Sequence, residues 1–170
     1  GFEITSWSDL WKPELAGKLS IPELSTTFGP AMVYLASDYK GVDITSDDGA
    51  AAFEALNELK PNIVRTYSKS SDLANMFAAG EIAVAVVGDF GVPVIQNAAP
   101  STEFVVPADY TYANFNTIDI NKNSKNKDLA YMYINWRISQ ELQSVTAVTL
   151  NEGPVNKNVE LTPEQAANMT

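Results

Sequence analysis

The stretch EIAVAVVG, Glu81 to Gly88, contains the longest uninterrupted apolar run in the chain, Ile82 to Val87. A run of that length without alternation reads as a strand covered on both faces, as a central strand of a parallel sheet is. Parallel pairing needs long crossover connections, so the run implies helices between strands. The flanking sequence supplies them. Lys18 to Ile21 reads as a strand ended by Pro22. A helix follows from about Pro30, with Met32, Leu35, Ala36 and Tyr39 on one face and Gly41 at its end. Asp47 and Asp48 open the next helix, where Phe53, Leu56 and Leu59 form a core stripe stopped by Pro61. A third helix begins at Ser71, carries Leu73, Met76 and Phe77, and ends near Gly80.

Beyond the apolar run, TEFVVP (Thr102 to Pro107) and NTIDIN (Asn116 to Asn121) read as two further strands. The longest helix starts near Lys127, with Leu129, Met132, Tyr133 and Trp136 at i, i+3, i+4 and i+7. TPEQ, Thr162 to Gln165, has the form of a capping box with Pro163 at the first helical position. The fold class expected is α/β, a three-layer open sheet with helices on both faces.

Composition narrows the chemistry more than the fold. The chain of 170 residues is 45% hydrophobic, and none of its apolar runs approaches the ~20 residues a membrane-spanning helix requires. Its formal charge of −10 repels phosphate backbones, which argues against a nucleic-acid partner. There is no cysteine, hence no disulfide and no thiolate metal site. There is no histidine either, which removes the usual general base, the Ser-His and Cys-His nucleophile pairs and the commonest transition-metal ligand. Catalysis by carboxylates alone survives that filter. No metal or cofactor motif is legible.

In open α/β sheets ligands settle beyond the carboxyl ends of the strands, and that rule selects three loops. ELSTTFGP places the hydroxyls of Ser25, Thr26 and Thr27 just before a helix. There they suit an anion or serve as a plain N-cap. GDFGVP places Asp89 and Phe90 at a strand end between Gly88 and Gly91, either as ligand contacts or as an ordinary turn. Its DFG triplet has no nucleotide-binding companions and carries no kinase chemistry. ADYTYANFN is rich in aromatic and amide side chains. Alternation sets Tyr112 and Asn114 on one side as the preferred pair for a small polar solute, from a set that includes Tyr110, Phe115 and Asn116 and in part forms core.

These segments, in this order, resemble the extracellular solute-binding proteins of bacterial ABC importers, in particular the spermidine/putrescine-binding group. WSDLWKPELAGKLSI is similar to that family's entry into its second lobe. LKPNIVRTYSKSSDLANMFAAGEIAVAVV resembles its helix, Gly-Glu and central strand. NKDLAYMYINWRISQELQ is similar to its late helix, and NEGPVN to its closing Pro-x-Asn turn.

The resemblance implies that residues 1–115 and 144–170 form the second lobe of a two-lobe binder. Residues 116–143 would be a returning segment that helps complete a first lobe preceding residue 1. It implies a small-molecule solute, polyamine-like or related, held between the lobes and delivered to an ABC permease. The implied location is periplasmic or extracellular, free or as a lipid-anchored lipoprotein. In the polyamine binders the loop after Pro107 presents a Trp and an Asp to the ligand amine. Those positions correspond here to Asn114 and Asn116, and the aromatic closing the central strand corresponds to Gly88, beside Asp89. Other members of the family bind iron, thiamine, sugar phosphates or amino acids, and the Ser25–Thr27 hydroxyls suit an anionic solute.

Two other classes stand beside this one. A carboxylate-driven hydrolase would pair Asp89 with Asp109 or Asp119, at ~5–9 Å across one pocket. A ligand-sensing domain on the same fold would need no catalytic pair. A lone second lobe is further expected to self-associate through the stripe on its returning helix.

Overall fold

The computed structural model describes residues 3–167. The chain divides into two compact units, Gly1–Tyr112 and Ala113–Thr170. The first is built on a three-stranded parallel sheet of β1 (Leu19–Pro22), β2 (Ile63–Tyr67) and β3 (Val84–Ala85), in the order β2-β1-β3. Between β1 and β2 run α1 (Gly29–Lys40) and α2 (Ala50–Leu59). Between β2 and β3 runs α3 (Ser70–Ala78), and α4 (Val92–Ala98) follows β3.

Side-chain alternation along the strands sorts the core into two layers of contact. Leu19, Ile21 and Val86 pack with Met32, Leu35 and Leu59, joined by Val84, Leu10 and Leu15. Tyr67 packs with Leu73, Met76, Ile82 and Ile95, joined by Ala85 and Val87. Val84 and Val86 therefore face one layer and Ala85 and Val87 the other, as a run apolar on both faces requires. The sheet is flanked by helices on its two faces.

The central position falls to β1, not to the EIAVAVVG stretch. All four β1 residues are buried, with Leu19 and Ser20 paired to both neighbours. Only Val84 and Ala85 of the longer run are strand. The Val86 amide still donates to the Ser20 carbonyl at 3.0 Å, after which the chain turns into a 3₁₀ segment at Asp89–Gly91. The sequence reading had no place for β2. Its residues 63–66 are half-buried or exposed, so the edge strand IVRTY lacks the apolar density that marks a core strand.

Helix boundaries follow local chemistry. Gly41 caps α1 in the left-handed region at φ 67°. Pro30 sits in its first turn. α2 begins later than the acidic pair suggests, because Gly49 is its N-cap and Asp47 braces the turn before it. Its carboxylate accepts from the Gly49 and Ala51 amides at 3.0 and 2.8 Å. The buried face of α2 is Ala52, Ala55 and Leu59, whereas Phe53 is 50% exposed. The small alanines let α1 and α2 approach through Ala36, and a phenylalanine at that contact would hold them apart.

The opening segment is fastened to this core. Trp7–Trp11 forms a 3₁₀ turn with a capping box between Ser6 and Asp9. The Trp11 indole donates to the Ala55 carbonyl at 2.9 Å and stacks on Tyr39 at 4.2 Å. Buried Asn62 donates from Nδ2 to the carbonyls of Leu10 and Lys12 at 2.7 and 2.9 Å. Buried Asp9 pairs with Lys12 at 2.6 Å and accepts from the Thr5 and Ser6 amides.

In the second unit, α5 (Lys127–Arg137) and α6 (Gln140–Leu150) are followed by α7 (Pro163–Ala166), which begins on the capping box read from the sequence. Asn156 ties the chain after α6 back, donating from Nδ2 to the Ile138 carbonyl at 2.7 Å. TEFVVP and NTIDIN are not strands. Val105, Val106 and Ile118 are more than 40% exposed, and among the described residues neither stretch is paired in a sheet. α5 buries no residue. Leu129, Met132, Tyr133 and Trp136 stand 65%, 68%, 52% and 52% exposed.

Two outcomes follow. Asn62→Ala removes the side-chain donor from the buried Leu10 carbonyl, while the Lys12 carbonyl keeps the Leu15 amide, and is expected to lower unfolding stability by about 1–3 kcal/mol in urea titration. The Lys12 ammonium, the Thr5 and Ser6 amides and the Thr5 hydroxyl together hold Asp9 well below the usual carboxylate range, outweighing its burial. A depressed folded-state pKa gives stability that is present above the unfolded value near ~3.9 and is lost as pH falls through the folded one. The stability gap between the natural chain and Asp9→Asn is therefore expected to be full at pH 6 and to shrink below about pH 4, measured by thermal unfolding across that range.

Candidate functional site

Because the three strands run parallel, the loops that leave their carboxyl ends emerge along one edge of the sheet. They are residues 23–28 after β1, 68–69 after β2 and 86–91 after β3. Ser25 and Thr27 are exposed in the first. The Thr26 hydroxyl is committed to its own loop, donating to the Glu23 carbonyl at 2.7 Å while accepting from the Gly29 amide at 3.0 Å. The loop is tight. A Cβ on Gly29 would collide with the Glu23 carbonyl and the Leu24 backbone.

Asp89 and Phe90 lie in the 3₁₀ turn after β3. The Asp89 carboxylate accepts from the Phe90 amide at 2.8 Å, and the Phe90 ring is 55% exposed. The glycines flanking them serve internal packing. A Cβ on Gly88 would strike the Phe90 ring, and one on Gly91 would come within 2.8 Å of the Ser70 hydroxyl and of Val87. The turn after β3 thus abuts the start of α3. Asp89 and the Ser25–Thr27 loop leave adjacent parallel strands at the same edge.

Tyr112 meets α1 and the loop before it. Its ring lies edge-on to Phe28 at 5.8 Å and tilted to Tyr34 at 6.1 Å. Among the candidates, Tyr112 and Ser25–Thr27 are brought together through Phe28. Asn114 and Asn116 are exposed residues of the second unit, in a stretch without helix or strand.

The residues 108–112 that lead to Tyr112 are held from behind. The Ser6 hydroxyl donates to Asp109 Oδ2 at 2.9 Å, and the Trp7 indole donates to the Tyr110 carbonyl at 2.7 Å. Burial works to raise the Asp109 pKa, but the bonds from Ser6, Trp7 and Tyr110 outweigh it and hold the carboxyl below its ordinary range. Burial, and then a hydrogen bond to the Asp38 carboxylate, push the Tyr110 phenol above its ordinary value.

Sequence reasoning missed two concavities. One, of about 140 Å³, opens at the ends of β1 and β2 and is lined by Glu23, Arg65, Tyr67, Ser68, Asp72 and Asn75. Its signal was present in IVRTY followed by the Ser70-Ser71 helix start, but β2 had to be recognised first. The other, about 550 Å³, runs along the C-terminal half of α1 past Tyr34, Asp38, Val42 and Asp43. Among the described residues no group of three or more carboxylate, His or Cys side chains is placed to hold a metal ion.

The spermidine/putrescine-binding periplasmic protein 1 of Haemophilus influenzae is 28% identical over 164 residues, 94% of this chain and 43% of that protein. The corresponding Salmonella typhimurium protein is 30% identical over 148 residues, 86% of this chain and 41% of that one. A crystal structure of an ABC transporter from Clostridium perfringens, 58% identical, superposes with a TM-score of 0.89 over 99% of this chain and 53% of its own. The ferric binding protein of Campylobacter jejuni, 24% identical, shares the fold with a TM-score of 0.76. The chain spans about half the length of the curated relatives it matches. The family model for the bacterial extracellular solute-binding protein matches residues 3–170, and the chain belongs to that family.

Proposed function

We propose that this chain is one half of a solute-binding protein that captures a small polar, polyamine-like solute between two lobes and delivers it to an ABC permease, in the periplasm or outside the cell. In this reading residues 1–115 and 144–170 are one lobe, and 116–143 is a segment given to the other. Ser25, Thr26, Thr27, Asp89, Phe90, Tyr112, Asn114 and Asn116 contribute to solute contact.

The observation that carries the reading is the gathering of three loops at one sheet edge, with Glu23 and Asp89 in two of them and Asp72 in the first turn of α3. The one basic side chain of the β2 loop is Lys69. Arg65 is paired with Glu81 at 3.3 Å. That balance favours a cationic solute, and the spermidine/putrescine binders among the relatives agree with it. A hydrolase would need a carboxyl that keeps its proton near neutral pH to act as general acid. Asp109, one of the two partners considered for Asp89, is held in the opposite direction.

Two-lobe binders gain affinity by closing both lobes on the solute, which completes its hydrogen bonds and excludes water. The 170-residue chain alone is therefore expected to bind spermidine weakly, with a dissociation constant in the range of about 0.1 mM or above. It is also expected to pair with a second copy through the exposed α5 stripe. Calorimetry combined with analytical ultracentrifugation checks both. Nanomolar binding of spermidine by a strict monomer would overturn the two-lobe reading.

A further inference from the structure

We propose that the Ser6–Trp7 segment is a clamp that positions the 108–112 loop, and through it Tyr112, for solute contact. Trp7 and Asp109 would then act on solute affinity without touching the solute. The inference rests on the reading of Tyr112 as a contact residue.

The clamp is a set of bonds between segments a hundred residues apart. The Ala108 amide donates to the Thr5 carbonyl at 3.2 Å. Asp109 Oδ2 accepts from the Ser6 hydroxyl at 2.9 Å and from the Trp7 amide at 3.4 Å. The Trp7 indole N–H reaches the Tyr110 carbonyl at 2.7 Å, and the Trp7 and Tyr110 rings lie 6.4 Å apart. Four successive points of attachment thus run over 108–110, and Tyr112 stands two residues beyond the last.

The loop has no other scaffold of its own. Residues 103–106 and 108–112 lie outside helix and strand, and Ala108, Asp109, Tyr110 and Thr111 are exposed. A stretch of that kind samples many conformations unless side chains fix it. The clamp side is well fixed. Asp9 and the capping box hold Ser6, and the Trp7–Trp11 turn is anchored by buried Leu10 and by Asn62. On the far side Tyr112 rests on Phe28 and Tyr34. Rigid elements on both sides, with the loop bonded to one and packed on the other, are what holds a contact residue ready before the solute arrives. Ordering prepaid in folding is not charged against binding.

Two variants separate positioning from folding. Trp7→Phe keeps the ring and removes the indole donor, and Asp109→Ala removes the acceptor for Ser6 and Trp7. NMR of the 170-residue chain reads three things: exchange of the Ala108 amide, the ring-to-ring Overhauser contact of Tyr112 with Phe28, and shift changes on titration with spermidine. Expected are exchange at least about tenfold faster at Ala108 in each variant and a weakened Tyr112–Phe28 contact, with Leu19–Ile21 amides as protected as before. Spermidine affinity should fall about tenfold, the scale of re-ordering one or two side chains. Tyr112→Ala should lower it at least as far.

The outcomes divide cleanly. Unchanged Ala108 exchange and an intact Tyr112–Phe28 contact in both variants overturn the clamp, whatever spermidine does. Looser loops with affinity unchanged within twofold, while Tyr112→Ala weakens binding, overturn its role in affinity. No effect of Tyr112→Ala on a measurable affinity removes the contact reading and, with it, the affinity role. Absence of spermidine binding by the unsubstituted chain counts against the solute class, and the exchange and ring-contact arms then decide the clamp by themselves.

Discussion

Everything in the first unit depends on β1 being buried along its whole length. Leu19 and Ser20 are fully inaccessible and Ile21 nearly so. A four-residue strand with no exposed face can exist only if both edges are paired and both faces covered. Its polar member meets that demand through the Ser20 hydroxyl, which donates to the Arg65 carbonyl of β2 at 2.9 Å. Parallel partners on each side then force crossover connections, and the crossovers are α1–α2 and α3. The same parallelism sends the loops after all three strands to one edge. The site's location is thus a consequence of how β1 is satisfied.

The polar pins around the opening segment solve a different problem. A 3₁₀ turn followed by Pro13 has few internal hydrogen bonds, so its carbonyls need partners from elsewhere. Asn62, at the end of the α1–α2 crossover, supplies two of them from one amide. Trp11 bridges the two crossover helices, its N–H bonded to α2 and its ring face on Tyr39 of α1. The closely spaced tryptophans therefore do separate jobs. Trp11 closes the core, and Trp7 faces the 108–112 loop.

Legibility in the sequence tracked the kind of interaction that sets each element. Caps, helix stops and turns are local, and Gly41, Pro30 and the Thr162–Gln165 box stand where they were read. Family and fold were legible because they rest on the order of many such segments. Sheet order was not, because pairing is a long-range choice. A six-residue apolar run outweighed LSIP on paper, yet LSIP holds the centre. Phe53 misled for the same reason, since helix contact through alanines favours close approach over apolar bulk. Candidate loops could be chosen only in so far as strand ends were identified. The β2 loop, whose strand is half exposed, went unseen.

The edge loops and α5 show how differently one chain treats its surfaces. Along the sheet edge, the polar groups nearest the proposed solute already have protein partners: Thr26 its own loop, Asp89 the next amide, Asp72 the Lys69 amide. A carboxylate held this way keeps its position, and it retains lone pairs for a further donor. On α5, by contrast, Leu129, Met132, Tyr133 and Trp136 stand more than half exposed, with Tyr133 and Trp136 meeting ring to ring at 5.7 Å. In water such a stripe is unfavourable in proportion to its area, and its placement is not explained by the second unit's own packing. The first unit is shaped by what it must hold still. On α5 the i, i+3, i+4, i+7 spacing sets those side chains along one face of the helix.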